Sequence, residues 1–340
     1  MNNFKKVGLT ALAGSLCMVS ANAIEYTMSG GLLTTFTTED APSAVANSGK
    51  GIGVATDLAF NASGELDNGF TVGYMMAVDT DGALSNTSSQ MTVGMGSLGT
   101  LQLNNKFGSK ANGIDDISPA AYEETWDGLS SANPSFFGSS TTAGSLDYRI
   151  APQEYMGVTI NASYTYDPAA GQAGATKGGI TASQTGSGDA VTLQLTHESG
   201  VEIGGGTESV DSNSGLTNAQ GVDRATGYIK YSVGGLVVSY QEAYEDAFTS
   251  AAVDTGADQE AEFFGAAYTM GDMTVSYGTS ELTSSAISDT AETTQELTSI
   301  QAAYVMGAMT ISAAISDTDN LGGTAGAKYE ENTLAVSFAF

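Results

Sequence analysis

Along much of residues 24–340 apolar and polar side chains alternate with a period of two. Val158, Ile160, Ala162, Tyr164 and Tyr166 share one face, and Thr159, Asn161, Ser163 and Thr165 share the other. Met273, Val275 and Tyr277 stand opposite Thr274, Ser276 and Gly278, and Met309, Ile311, Ala313 and Ile315 stand opposite Thr310, Ser312 and Ala314. Side chains on a strand point to alternate faces, so the pattern predicts an all-β chain with one apolar face and one polar or small face.

Two architectures share that signature. In a soluble sandwich the apolar face is the core. In a membrane barrel it meets lipid, and the polar face meets a water-filled lumen. Three features favour the barrel. The polar faces are rich in Thr, Ser, Asn, Gln and Gly. Aromatic residues gather at strand ends, as at Tyr26, Phe70, Tyr231, Tyr268, Tyr304 and Phe340. Tight turns alternate with long acidic connections.

Tight turns are expected at Asp67-Asn68-Gly69, Ser97-Leu98-Gly99, Pro152 to Tyr155, Glu198-Ser199-Gly200, Gly234-Gly235, Gly271-Asp272 and Gly307-Ala308, where the dipeptides supply positive φ. These seven turns cut the chain into eight segments, each long enough for two spanning strands and a loop. The expectation is a transmembrane antiparallel β-barrel of sixteen strands over 24–340, with both termini on the turn side. A repeat fits it: Tyr231–Tyr240 aligns without gaps to Tyr268–Tyr277 and to Tyr304–Ala313, each copy reading as strand, tight turn, strand.

The first 23 residues read as a cleavable export signal: Lys5 and Lys6, a short apolar run, then Ala21-Asn22-Ala23. Losing Lys5 and Lys6 takes the formal charge from −28 to −30. Cys17, the only cysteine, leaves with the signal, so no disulfide or thiolate metal site is expected. Such acidity argues against nucleic acid as a partner, because little is present to neutralise phosphates. The single histidine, His197, ends a strand beside a turn with no ordered Ser or Asp signature near it, so an enzyme is not expected.

With these residues in view, the chain resembles the Gram-negative general porins, closest in character to those of alphaproteobacteria. The resemblance rests on the signal, the strand count, one outsized loop after the fifth strand, and a last strand with Leu334, Val336, Phe338 and the terminal Phe340 on one face. It implies integral residence in the cell outer membrane, contact with its lipid, passive diffusion of ions and small hydrophilic solutes, and a homotrimer. Leu334, Val336, Phe338 and Phe340 look like the assembly signal that the barrel-insertion machinery reads in the family. Gly30, Gly31 and Gly53 could form a flat subunit contact.

Segment 109–143 lacks alternation, and loops of that length are commonly functional. In the family the third outer loop folds into the lumen and constricts it. Pro134, Phe136 and Gly138 agree with the loop tip of enteric porins, whereas Ser135 and Phe137 depart, so no tip carboxylate carries over. Asp115, Asp116, Glu123, Glu124 and Asp127 are candidate constriction acids, the alternative being a solvated acidic loop. Parity places Lys106, Arg149, Arg224 and Lys230, with Asp57, Asp147 and Glu202, on the lumen wall. There they could set a transverse field or merely avoid lipid, where a cation costs about 2–4 kcal/mol at mid-membrane.

A ring of carboxylates in a confined aqueous space attracts cations, so cation preference is expected. Clustered acids could also hold Ca²⁺, although Asp317-Thr318-Asp319-Asn320 is only a fragment of a calcium loop. Dispersed surface charge is the alternative. The competing reading of the whole chain is a secreted or surface-attached β-sandwich adhesin without channel activity.

Overall fold

The computed structural model describes residues 24–41, 48–79, 85–105, 110–126, 144–168, 185–212, 220–249, 258–285 and 293–340. The export signal, Lys106, Asp127, Pro134, Phe136 and Gly138 lie outside the described residues.

The strands are β1 (Glu25–Asp40), β2 (Gly49–Glu65), β3 (Thr71–Asp79), β4 (Ser85–Gly94), β5 (Thr100–Asn105), β6 (Ser145–Arg149), β7 (Gln153–Tyr155), β8 (Val158–Asp167) and β9 (Thr185–His197). They continue as β10 (Val201–Ser212), β11 (Gln220–Val233), β12 (Leu236–Thr249), β13 (Asp258–Met270), β14 (Met273–Ser285), β15 (Gln295–Met306), β16 (Met309–Asp319) and β17 (Lys328–Ala339). Each pairs antiparallel with its chain neighbours, except that β6 and β7 both pair with β8. Arg149 faces Ser163 and Gln153 faces Ile160, so β6 and β7 are two halves of one stave, interrupted around Pro152. A proline cannot donate to a ladder, which is why the pairing breaks there. The seventeen elements therefore make sixteen staves, and β1 pairs with β17 to close the barrel.

One turn falls elsewhere than expected. Gln153–Tyr155 is strand, and the turn is Met156-Gly157 between the paired Tyr155 and Val158. Met156 has φ 49° and Gly157 φ 79°, the double positive φ that a two-residue hairpin matching strand twist requires. Proline pointed to the wrong place because it marks a break in the stave rather than its end.

Parity holds around the wall. Leu193, Ile203, Ile229, Phe264, Tyr277, Ile300, Ile315 and Leu334 project outward and are exposed. The alternate positions, among them Thr192, Thr226, Ser239, Gln241, Ser276, Ser299, Gln301 and Ser316, face inward and are buried. An apolar exterior around a polar interior is the inverse of a sandwich core.

The seam is tied by its last residue. Gly30 N donates to Phe340 O at 2.8 Å, and Phe340 N donates to Gly30 O at 3.0 Å. The Phe340 ring lies over Gly30, where an added Cβ would stand 2.7 Å from it and 2.9 Å from Leu58 Cδ2. Gly30 is thus a notch filled by Phe340, not part of a flat glycine patch. Gly31 pairs with Asp57 and Gly53 with Thr35, which sets both on the inward face, away from any subunit contact.

The loop end of the exterior carries a row of acids. Glu242, Glu262, Glu281, Glu296 and Asp319 are direct partners from β12 to β16, all exposed. Tyr240 Oη lies 2.7 Å from Glu242 and 3.0 Å from Glu262, and Lys328 Nζ ends the row 2.7 Å from Asp319.

Replacing Gly30 with valine should destabilise the seam by about 1–3 kcal/mol, as overpacking does. The readout is a lower urea midpoint of the detergent-folded barrel. Gly227→Ala, whose Cβ would meet nothing within 4 Å, is the control expected to leave that midpoint in place.

Candidate functional site

The candidate site is the lumen at the level of residues 110–126. These residues have no strand pairing, so their backbone groups need other partners. The inner wall supplies them. Gln241 Oε1 accepts from Ile117 N at 2.9 Å, while Gln241 Nε2 donates to Ile114 O at 2.9 Å. Ser276 Oγ accepts from Ala121 N at 2.9 Å. Gln301 Oε1 accepts from Tyr122 N at 2.9 Å and Glu123 N at 3.1 Å, and its Nε2 donates to Glu123 O at 2.8 Å. The segment thus crosses the inner faces of β12, β14 and β15 on three polar side chains.

Shape complements these bonds. Ser239, Gly265, Gly278, Ser299 and Ser316 are consecutive partners across β12 to β16, a trough of small residues. A Cβ on Gly265 would collide with Pro119 and Ser118, and one on Gly278 with Thr125. Apolar contacts fasten both ends. Ala111 and Ile114 pack on Tyr228 and Ala190, and Trp126 packs against Ala243, Ala261 and Phe263 and also against Leu297, Leu321 and Tyr329.

The candidate acids separate into two groups. Asp116 is buried, with Oδ1 accepting from Ser118 N at 2.6 Å and Oδ2 from Trp126 Nε1 at 3.0 Å. Glu123 is buried, with its backbone N–H and C=O both bonded to Gln301. The Asp116 carboxylate is thus turned into the loop's own fold, and Glu123 is closed off from water as well. Asp115 and Glu124 remain half-exposed.

Parity does carry Arg149, Arg224 and Lys230 to the inner face, and each is met by carboxylate. Arg149 Nε is 2.7 Å from Asp147, which is fully buried and also accepts from Thr165 Oγ1 at 2.8 Å. Lys230 Nζ is 2.9 Å from Glu202, which also accepts from Gln194 at 2.9 Å and Tyr228 Oη at 3.1 Å. Arg224 lies between Glu208 at 3.0 Å and Glu245 at 2.5 Å, all three nearly shut off from water. Asp57 is half-buried on the inward face.

Residue-by-residue reading misses Lys110, which precedes the 3₁₀ turn Asn112–Ile114. Its backbone N donates to Asp147 Oδ2 at 3.2 Å. The seat residues Gln241, Ser276 and Gln301 are also missed, since their only local signal is an inward polar position. The suspected calcium-loop fragment is otherwise engaged: Asp319 pairs with Lys328, and Asn320 donates to Thr294 O and accepts from Gly326 N. No group of three or more His, Cys, Asp or Glu arranged for a metal ion occurs among the described residues.

A model of the Gram-negative porin family matches residues 8–340. Among solved structures, a refined porin shares 17% identity, with 93% of this chain and 100% of that one covered and a TM-score of 0.65. OmpF of Salmonella typhi, in complex with daunomycin, shares 11% identity over 95% and 99%, with a TM-score of 0.68. The trimer form of OmpT, an outer-membrane protein of Vibrio cholerae, shares 12% over 94% and 100%, with a TM-score of 0.63. No curated protein matches the sequence.

Gln301→Leu would strand three backbone groups, at about 1–3 kcal/mol each if they stay buried. Limited proteolysis of the folded barrel should then cut within 110–126 faster than in the wild type, while the strands stay protected. Equal cleavage rates would show that the seat does not hold the segment.

Proposed function

The chain belongs to the Gram-negative porin family, and from that premise we propose a cation-preferring diffusion pore narrowed by segment 109–143. It is an integral β-barrel porin of the bacterial outer membrane, from a family of channel proteins. The observation that carries the finer reading is segment 110–126 bonded across the inner faces of β12, β14 and β15.

Narrowing brings a permeating ion close to fixed charge, where the low-dielectric wall weakens screening. Of the described charges at this level, the cations Arg149, Arg224 and Lys230 are paired with carboxylates, Lys110 adds one more cation, and Asp116 and Glu123 are buried acids. Asp115 and Glu124 are half-exposed on the loop. The excess at the narrow zone is then negative, in keeping with the chain's charge. Ions and small hydrophilic solutes are the cargo, and the reading needs no catalytic group.

Leu334, Val336, Phe338 and Phe340 form an outward stripe on and just beyond the closing strand, as an assembly signal read from the barrel's exterior by the insertion machinery would require. A homotrimer is supported by the outward residues Met28, Leu32, Phe36, Ile52, Val54, Leu58, Phe60 and Tyr74 of β1–β3, which carry no charge and offer one apolar face. The remaining exterior meets outer-membrane lipid.

Detergent-purified protein in a planar bilayer should give stepwise, ohmic conductance whose reversal potential in a KCl gradient favours potassium. Asp115→Asn with Glu124→Gln should lower that preference by about two-fold. A chloride preference in the wild type would overturn cation selectivity and leave the pore. Folded protein without conductance would overturn the pore.

A further inference from the structure

Three hairpins at the turn end of the wall are built alike. Gly234-Gly235, Gly271-Asp272 and Gly307-Ala308 each open on a positive φ, at 58°, 60° and 64°. Each turn is locked to the next strand: Thr269 N donates to Gly235 O, Val305 N to Asp272 O and Ala339 N to Ala308 O, all at 2.9 Å. The residues that flank the turns differ. Val233 and Leu236 close the first. Methionine closes both others, where Met270 pairs with Met273 and Met306 with Met309. Val233 and Leu236 show that aliphatic side chains suffice at this position, so meeting lipid does not demand methionine.

Register joins the two methionine hairpins. Met273 pairs with Tyr304, and Met306 stands two residues further along the same strand, on the same face. Met273 and Met306 are therefore diagonal neighbours, at a spacing of about 7–8 Å that long side chains span. Within each hairpin the directly opposed Cβ atoms are closer, about 4.5–5.5 Å apart. Met270, Met273, Met306 and Met309 thus form an unbroken arc on the outward face. The first three are exposed and Met309 is half-buried.

We propose that this arc is a binding site for Cu(I), with Met273 and Met306 as central ligands and Met270 and Met309 closing on the ion from the flanks. A neutral thioether is a soft ligand that favours Cu(I), whereas Ca²⁺ and Mg²⁺ take oxygen. The imidazole that a zinc site would use is elsewhere: His197, the only histidine, sits at another turn with Nδ1 2.8 Å from Ser199 Oγ. Methionine is unbranched, with three rotatable bonds and a polarizable sulfur, so side chains rooted on two rigid turns can converge on one point. Asp272, in the turn between Met270 and Met273, places a negative charge beside the ion. The short turns of outer-membrane barrels face the periplasm, so Cu(I) reaches the arc from that side, at the water–lipid boundary.

The test is anaerobic titration of the detergent-folded barrel with Cu(I) against a chromogenic Cu(I) chelator. One Cu(I) per chain is expected, with X-ray absorption showing a shell of sulfur. Met273→Leu combined with Met306→Leu should abolish binding in a folded barrel, because leucine keeps the volume and the apolar character. Met270→Leu and Met309→Leu should each weaken binding by at least about ten-fold. Met91→Leu should leave it unchanged, since Met91 is equally exposed but pairs with Tyr74 and Leu103. A wild type that binds no Cu(I), a shell of oxygen, or full binding by the double variant overturns the proposal. Should the double variant not fold, the flank variants decide, and unchanged affinity in both overturns it. None of these readouts is a conductance, so failure here leaves the pore reading standing.

Discussion

Every backbone N–H and C=O that faces hydrocarbon must find a partner within the protein, and an antiparallel sheet meets that demand only when its first and last strands pair. The rest of this structure depends on the β1–β17 seam. Once it is closed, side chains of either face are released from backbone duty. The outward face can be uniformly apolar, and the inward face can carry amides and hydroxyls. The terminal residue takes part directly, with both its backbone groups bonded to Gly30 and its ring set in the notch that a glycine leaves.

Closure also creates the problem that the lumen solves. A barrel of sixteen staves encloses more space than its inward side chains fill. Segment 110–126 occupies part of it, and irregular backbone is tolerated at membrane depth only where protein or water satisfies it. Gln241, Ser276 and Gln301 do so as surrogate strand neighbours, offering side-chain oxygens and amides where a ladder would offer carbonyls and N–H groups. The glycines and serines of the trough let the segment approach closely enough for those bonds to form.

The fold was legible in the sequence because its physics is local. Alternation follows from strand geometry, and six of seven turns follow from glycine-bearing dipeptides; the seventh misled because Pro152 interrupts a stave instead of ending one. The inward placement of Arg149, Arg224 and Lys230 followed from parity alone. Arg149 meets Asp147 two residues away on its own strand, but the partners of Arg224 and Lys230 lie on neighbouring strands and depend on register across them. The loop seat was less legible still. Tyr122 and Gln301 are separated by 179 positions, and nothing near either announces the other. Lys110 has no parity to read, because it lies on a 3₁₀ approach rather than a strand. Asp116 and Glu123 stand among the candidate constriction acids for a related reason: composition cannot tell a carboxylate that meets solvent from a buried one.

The exterior acid row has a mechanical consequence. Five carboxylates side by side from Glu242 to Asp319 cannot be drawn into hydrocarbon without a cost that multiplies along the row, whereas the apolar residues below them resist exposure to water. The two penalties oppose each other over a rise of only a few residues. That arc of the wall is thereby held at one depth, like a float ballasted at its waterline, and thermal bobbing or tilting of the barrel must pivot about it.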